Sequence, residues 1–121
     1  MSRVIHFEIP AADGEKTVQF YKDVFGWEFK RWGEEQYWLV STGDEREPGI
    51  NGAIMTRKDP AQPVVNTISV VDMAITQKKI EENGGTVVVP KMAIPGVGWL
   101  LYFKDIDGNI FGIMQNDPQA K

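Results

Sequence analysis

The chain has 121 residues, of which 42% are hydrophobic and 25% are charged, and its formal net charge is −4. This length suits one domain with a hydrophobic core, and the composition is that of a globular protein. Cysteine is absent, which excludes disulfides, thiolate catalysis and cysteine metal sites. The sequence has no membrane-length apolar run, no signal-peptide pattern and no basic block. We therefore expect a cytoplasmic protein that binds neither membranes nor nucleic acid.

The first predicted element is a strand over residues 3–9, which we expect to end at Pro10. Its residues alternate in character, so that His6 and Glu8 fall on one face and apolar side chains on the other. A helix follows from Asp13, which can cap its amino end, to residue 25, before Gly26. Three more strands are predicted over residues 27–32, 36–41 and 49–55.

The second half of the chain repeats this order after a proline-containing linker over residues 57–63. A strand over residues 64–71 precedes a helix that Asp72 can cap and that ends at Asn83-Gly84-Gly85. Three strands are then predicted over residues 86–89, 99–103 and 110–114. We expect Pro90 to end the first of them and residues 91–97 to form a loop.

Two similar four-residue segments support an internal repeat. Gly52-Ala53-Ile54-Met55 lies 60 positions before Gly112-Ile113-Met114-Gln115, and the predicted helix stops Gly26 and Gly85 lie 59 positions apart. Two copies of one supersecondary unit explain this better than a solenoid, which needs more copies. We therefore predict a single α+β domain over residues 1–121, with modules at about 3–56 and 64–116 whose sheets curl around a cavity.

Several short motifs resemble those of a known superfamily. They are His6 in the first strand, Phe20-Tyr21 and Val24-Phe25-Gly26-Trp27 at the helix-to-strand corner, Asn83-Gly84-Gly85, and Asp105-Ile106-Asp107-Gly108-Asn109 before the last strand. In their order and spacing the chain resembles the vicinal oxygen chelate superfamily of glyoxalases, bleomycin-resistance proteins and extradiol dioxygenases. Ile94-Pro95-Gly96-Val97-Gly98 is similar to one glyoxalase-like subgroup. The resemblance implies the glyoxalase/bleomycin-resistance/dioxygenase-like fold of paired βαβββ modules, often a homodimer, with a site in the cavity between the modules.

The resemblance also implies where a metal would bind. The superfamily takes one ligand, usually His or Glu, from the first and last strand of each module. The matching positions here are His6, Gly52, Val65 or Asn66, and Gly112. Because glycine offers a metal no side chain, we expect no metal site and no cofactor. The alternative is a metal-dependent lyase, isomerase or dioxygenase that uses His6.

The candidate catalytic residues are His6 and Glu8. Histidine titrates near neutral pH, and Glu8 could orient it as an acid or base. The alternative is a histidine that is hydrogen-bonded inside the sheet without chemistry. The candidate ligand-binding residues are Tyr37, Thr67, Ser69, Trp99 and Met114. The aromatic members of this set could equally pack in the core or at a dimer face.

Two other motifs have a simpler interpretation. Asp105 and Asp107 are similar to the start of a calcium loop, but the required glycine and the twelfth-position glutamate are missing. We therefore predict a turn. Gly96-Val97-Gly98 is similar to a phosphate loop, but no helix follows to supply amide donors. We predict a loop that enters a strand.

Three classes of function follow from these expectations. The favoured hypothesis is a glyoxalase-like protein of unassigned activity that binds a small molecule without the usual metal, as a homodimer. A second is an enzyme of the same superfamily with His6 at its centre. A third is a structural or regulatory module whose cavity is filled.

Overall fold

The computed structural model describes residues 2–121, which form two βαβββ modules. Module one contains β1 (Val4–Ala11), α1 (Gly14–Phe25), β2 (Glu28–Arg31), β3 (Tyr37–Ser41) and β4 (Asn51–Thr56). Module two contains β5 (Val65–Ser69), α2 (Met73–Glu82), β6 (Thr86–Ile94), β7 (Gly98–Lys104) and β8 (Ile110–Asn116). The α+β class and the repeated order of elements are confirmed.

The two modules share one strand order. In module one the order is β2-β3-β4-β1, and in module two it is β6-β7-β8-β5. In each module the first and last strands pair parallel and the other neighbours pair antiparallel. The same connectivity thus occurs twice, as the predicted repeat requires.

The chain divides into two compact units, His6–Val64 and a unit that joins Val65–Lys121 to residues 2–5. Within the second unit, the Ser69 N–H donates to the Arg3 carbonyl over 2.9 Å. The boundary between the units therefore falls inside β1, just before His6.

Local capping fixes the helix ends where the sequence predicted them. The Asp13 carboxylate accepts a hydrogen bond from the Lys16 N–H at 3.2 Å, and Asp72 accepts one from the Ile75 N–H at 3.0 Å. Gly26 adopts φ 70°, the left-handed conformation that ends many helices. The helices have 12 and 10 residues, and no helix in residues 2–121 is long and apolar enough to cross a membrane.

Each helix packs on one face of its own sheet. The buried residues of the module-one core are Ala11, Trp38, Val40 and Ile54, and those of the module-two core are Val70, Met73, Leu101 and Ile113. Ile54 and Ile113 are 0% and 1% exposed. Because side chains alternate along a strand, the residues between these core positions point to the other face of each sheet.

Two predicted strand ends are wrong, and both involve proline. β1 continues through Pro10. Proline lacks only the N–H donor, and the Pro10 carbonyl accepts a hydrogen bond from the Arg57 side chain at 3.1 Å. β6 continues through Pro90 to Ile94, so most of the predicted loop over residues 91–97 is strand. β6 is the last strand in its order, and its register shifts on both sides of Val89. Proline is tolerated at such edges and irregularities.

The two motif interpretations are confirmed. The Asp105 carboxylate accepts hydrogen bonds from the backbone N–H groups of Asp107 and Asn109, at 2.8 and 2.9 Å, and Gly108 has φ 84°. The Asp105 carboxylate also accepts a hydrogen bond from the Asn109 side chain. This bond is the largest cause, ahead of the backbone bonds, of a pKa of Asp105 below its usual value. Gly96 lies in a turn, and β7 begins at Gly98.

Candidate functional site

One face of module one is free of its helix and is called here the cleft face. Its residues are His6, Glu8, Glu28, Lys30, Tyr37, Leu39, Ser41, Asn51 and Ala53. The strand register arranges them in rows. One row pairs Lys30 with Leu39, Leu39 with Ala53, and Ala53 with Glu8. Another pairs Asn51 with His6.

A cleft of about 400 Å³ lies on this face. The cleft-face residues among its lining are His6, Glu28, Lys30, Leu39, Ser41 and Asn51. β1 and β2 are the outer strands of the module, with β4 and β3 between them. At about 4.8 Å per strand spacing, β1 stands about 14 Å from β2. The cleft is therefore polar at both ends and has Leu39 on its floor.

His6 is half-buried in this cleft, and its imidazole has no hydrogen-bond partner or ion-pair partner among residues 2–121. Burial lowers the pKa of His6 below 6.5, and the neighbouring charge of Glu8 opposes that shift in part. The imidazole is therefore neutral at pH 7, with one nitrogen donor and one nitrogen acceptor.

Glu8 and Tyr37 lie near each other on the same face. Glu8 is 8% exposed. Burial raises the pKa of Tyr37 to about 12, with a further contribution from the charge of Glu8. His6 and Glu8 share the face, as predicted, without a hydrogen bond between them. The phenol, the imidazole and the carboxylate thus form one electrostatic group.

Asn51 is a cleft residue that the sequence argument did not consider. Its side-chain oxygen accepts a hydrogen bond from the Thr42 N–H at 2.9 Å. This bond fixes the amide orientation and leaves the Asn51 NH₂ group as the unused donor. The parallel pairing of β1 with β4 brings Asn51 beside His6. Only the register of that pairing places Asn51 at the site, and the sequence pattern alone does not specify that register.

Three other candidate residues lie together on module two. Thr67, which is 1% exposed, pairs with Gly112, and Ser69 pairs with Met114. Ile68 packs against the core below α2, so Thr67 and Ser69 point to the opposite face. Thr67, Ser69 and Met114 therefore share a face of module two.

Trp99 lies on the other face of module two. It packs against the core below α2, and its indole N–H donates to the Asp117 carboxylate at 3.0 Å. The Lys91 ammonium sits 4.4 Å from the centre of the ring. The Trp99 hydrogen bond is the leading cause of the lowered pKa of Asp117. The structure thus separates Trp99 from Thr67, Ser69 and Met114.

The two glycines matched to metal positions point in different directions. A Cβ at Gly112 would lie 3.2 Å from the Thr67 hydroxyl, on the face opposite the helix. A Cβ at Gly52 would meet the Phe7 ring at 2.6 Å, on the helix face. The cleft-face residue beside Glu8 is instead Ala53. The match of Gly52 with Gly112 is therefore one residue out of register.

A metal ion would need more ligand atoms than this face supplies. Catalytic zinc needs three protein ligands, and octahedral metals need several oxygen or nitrogen donors. Within residues 2–121, no three His, Asp or Glu side chains form a group that could hold a metal ion. Ala53 and Gly112 offer no ligand atom, so the side chains present do not fit the superfamily's metal.

Comparison with known proteins agrees with this fold. Residues 3–43 match the family model described as bleomycin resistance protein-like N-terminal. A glyoxylase-like domain-containing protein of Didymella fabae is 28% identical over 112 residues, which cover 88% of each chain. A glyoxalase/bleomycin resistance protein/dioxygenase superfamily member from Vibrio splendidus 12B01 superposes with a TM-score of 0.67 at 18% identity, covering 97% of this chain and 100% of that one.

A further solved structure is similar in fold. Methylmalonyl-CoA epimerase from Mycobacterium tuberculosis superposes with a TM-score of 0.67 at 12% identity, covering 95% of this chain and 88% of that one. The fold is that of the glyoxalase/bleomycin-resistance/dioxygenase group. The two sequence matches, one over residues 3–43 and one at 28% identity, are to proteins described as bleomycin resistance-like and glyoxylase-like.

Proposed function

We propose that this protein binds a small molecule in the cleft of module one, against His6 and without a metal ion. The observation that carries the proposal is the half-buried His6 imidazole, which faces a cleft of about 400 Å³ and has no partner among residues 2–121. Small-molecule sites commonly have volumes of about 300–1,000 Å³. A ligand that hydrogen-bonds the imidazole supplies the partner that the protein does not.

His6 and Glu8 are the proposed acid–base pair. A neutral imidazole at pH 7 accepts a proton from a ligand held in the cleft, and the nearby Glu8 charge stabilises the imidazolium that forms. Tyr37 is protonated at that pH, far below its pKa of about 12. Neither Tyr37 nor Glu8 lines the cleft, so these two side chains act on a ligand bound against His6 through charge and position on the same face.

The candidate ligand-binding residues of module two lie on two different faces of its sheet. Thr67, Ser69 and Met114 share the face of module two opposite α2, but they do not line the module-one cleft, so the present proposal does not include them. Trp99 has weaker support, since its N–H already donates to Asp117 and its ring lies on the helix face. The epimerase likeness adds no substrate, because 12% identity supports the fold alone.

A thermal-shift screen with cleft variants tests the binding proposal. Ser41→Trp fills the cleft, whereas Thr86→Trp places the same ring on an exposed strand residue of module two. A ligand of the native state raises the melting temperature by mass action. We expect ligands that stabilise the wild type and Thr86→Trp but not Ser41→Trp. Equal stabilisation of all three, or no stabilising ligand, would contradict the proposal.

Elemental analysis tests the metal-free part. The protein would be purified without a histidine tag and analysed for nickel, zinc and iron. We expect no stoichiometric metal, and no glyoxalase activity after these metals are added. One tightly held ion per chain, lost in His6→Ala, would restore the metalloenzyme alternative.

The homodimer also belongs to this proposal. α1 exposes Phe20, Val24 and Phe25, which are 56%, 56% and 60% accessible in the single chain. Contiguous exposed apolar side chains commonly mark protein–protein contacts. A second copy of this chain that covers them would remove them from water.

A further inference from the structure

We infer that the ligand of the module-one cleft is a monocarboxylate with an apolar chain, held through the Asn51 amide and the Lys30 ammonium. This inference rests on the proposed function, because it names the chemical class of ligand for the same site. Its basis is the set of polar groups in the cleft that the protein leaves unused.

Asn51 supplies a donor of fixed direction. Its oxygen is occupied by the Thr42 N–H at 2.9 Å, so a ligand meets the NH₂ group. An amide NH₂ donates and cannot accept. The ligand atom that binds there must therefore be an acceptor, such as a carboxylate oxygen.

Lys30 supplies the positive charge. It lines the cleft from β2, its side chain is exposed, and it has no ion-pair partner among residues 2–121. An ammonium without a partner attracts an anionic oxygen more strongly than a neutral one. Leu39 pairs with Lys30 across the two strands and gives an apolar chain a surface to cover.

Glu28 sets a limit on the charge of the ligand. It lies two residues before Lys30 on the same strand and also lines the cleft. Its carboxylate leaves the β2 side of the cleft without net charge and repels a second anionic group on the ligand. One carboxylate is therefore favoured, and two are disfavoured.

His6 completes the selection on β1, beside Asn51. Its imidazole is neutral at pH 7 because burial lowers its pKa below 6.5. It therefore offers no positive charge to a second carboxylate at that pH. A dicarboxylate would therefore find a neutral imidazole beside Asn51 and the Glu28 carboxylate beside Lys30.

Three six-carbon probes test the inference: hexanoate, its neutral amide hexanamide, and the dicarboxylate adipate. Binding would be followed at pH 7.5 from backbone amide shifts in nitrogen–proton NMR spectra. We expect hexanoate to shift β2–β4 amides and to bind at least about fivefold more tightly than hexanamide, since a charge-assisted hydrogen bond outweighs a neutral one. We expect adipate to bind more weakly than hexanoate.

Matched variants assign the effect to residues. Asn51→Asp keeps the acceptor for Thr42 but removes the donor, and Lys30→Met removes the charge. We expect each to weaken hexanoate at least about fivefold. Glu28→Gln should strengthen the binding of both hexanoate and adipate, and it should strengthen the binding of adipate more. Asn116→Asp and Lys104→Met make the same changes on exposed module-two residues and should leave hexanoate binding unchanged.

The outcomes separate this inference from the proposed function. If hexanamide binds the cleft as well as hexanoate, the carboxylate inference is overturned while the cleft remains a binding site. The same holds if none of the three probes binds but another library compound shifts β2–β4 amides. If no compound binds there, the proposed function fails together with the inference.

Discussion

Asn51 lies directly opposite His6 in the parallel pairing of β4 with β1. The pair joins an amide whose oxygen is already bound to Thr42 with an imidazole that has no partner among residues 2–121. Neighbouring strands stand about 4.8 Å apart, so one small ligand group can contact both side chains. This pair is the centre of the candidate site.

The lowered pKa of His6 makes stability depend on pH. The unfolded chain binds a proton near pH 6.5, while the folded chain binds it only at a lower pH because burial disfavours the charged ring. The free energy of unfolding should therefore fall as pH drops from about 6.5 to the folded pKa, and then level off. Urea unfolding between pH 4.5 and 8 measures this.

His6→Gln is the control for that prediction, because glutamine does not titrate. The variant should lose less stability than the wild type over the same fall in pH. His6 is the only histidine in the chain, so a second histidine cannot mask the difference. Parallel pH profiles for the two proteins would contradict the prediction.

The raised pKa of Tyr37 predicts a late phenol titration. Ultraviolet absorbance should show one of the three tyrosines ionising near pH 12, above the usual value of about 10. The contribution of this group to stability is present below pH 10 and is lost as pH rises toward 12. Tyr37→Phe should remove the late transition, and its persistence in that variant would assign it to another tyrosine.

Gly52 faces the helix and Gly112 faces away from it, so alanine substitutions at the two positions should change stability by different amounts. At Gly52 a methyl group meets the Phe7 ring and backbone, so Gly52→Ala should destabilise by about 1–3 kcal/mol or more. At Gly112 the nearest atoms are side-chain atoms 3.2–3.4 Å away, which can move by a few tenths of an ångström. Gly112→Ala should therefore cost less. Urea unfolding of both variants measures this, and an equal loss would refute the assigned faces.

Self-association is predicted from the exposed apolar side chains of α1. Light scattering over a concentration series should give twice the chain mass of 13.6 kDa. Phe20→Glu places a charge among those side chains and should shift the equilibrium toward monomer, whereas Ile106→Glu on module two, itself 80% exposed, should not. A wild-type monomer at tens of micromolar, roughly where weak interfaces dissociate, would contradict the homodimer.

Local signals predicted the elements of this fold well. Asp13, Gly26 and Asp72 act within one helical turn of their own position, so their roles can be read from neighbouring residues. Pro90 could not be interpreted in that way. Whether a proline ends a strand depends on the strand's place in the sheet, which is set by residues far along the chain.

The candidate site was harder to predict for the same reason. Alternation placed His6 and Glu8 on one face, and the structure agrees. The sequence match between residues 52 and 112 does not show which face of the sheet each residue occupies. A shift of one residue in register moves a side chain to the opposite face. Ala53 and Asn51, on either side of Gly52, are the residues on the cleft face.

The interrupted edge strand β6 also affects how molecules meet in solution. A regular strand at the end of a sheet presents a row of N–H and C=O groups that a strand from another molecule can join. Pro90 removes one donor from that row, and the register shifts around Val89 distort its spacing. We therefore expect module two to resist aggregation by strand addition, the process by which exposed sheets seed insoluble assemblies.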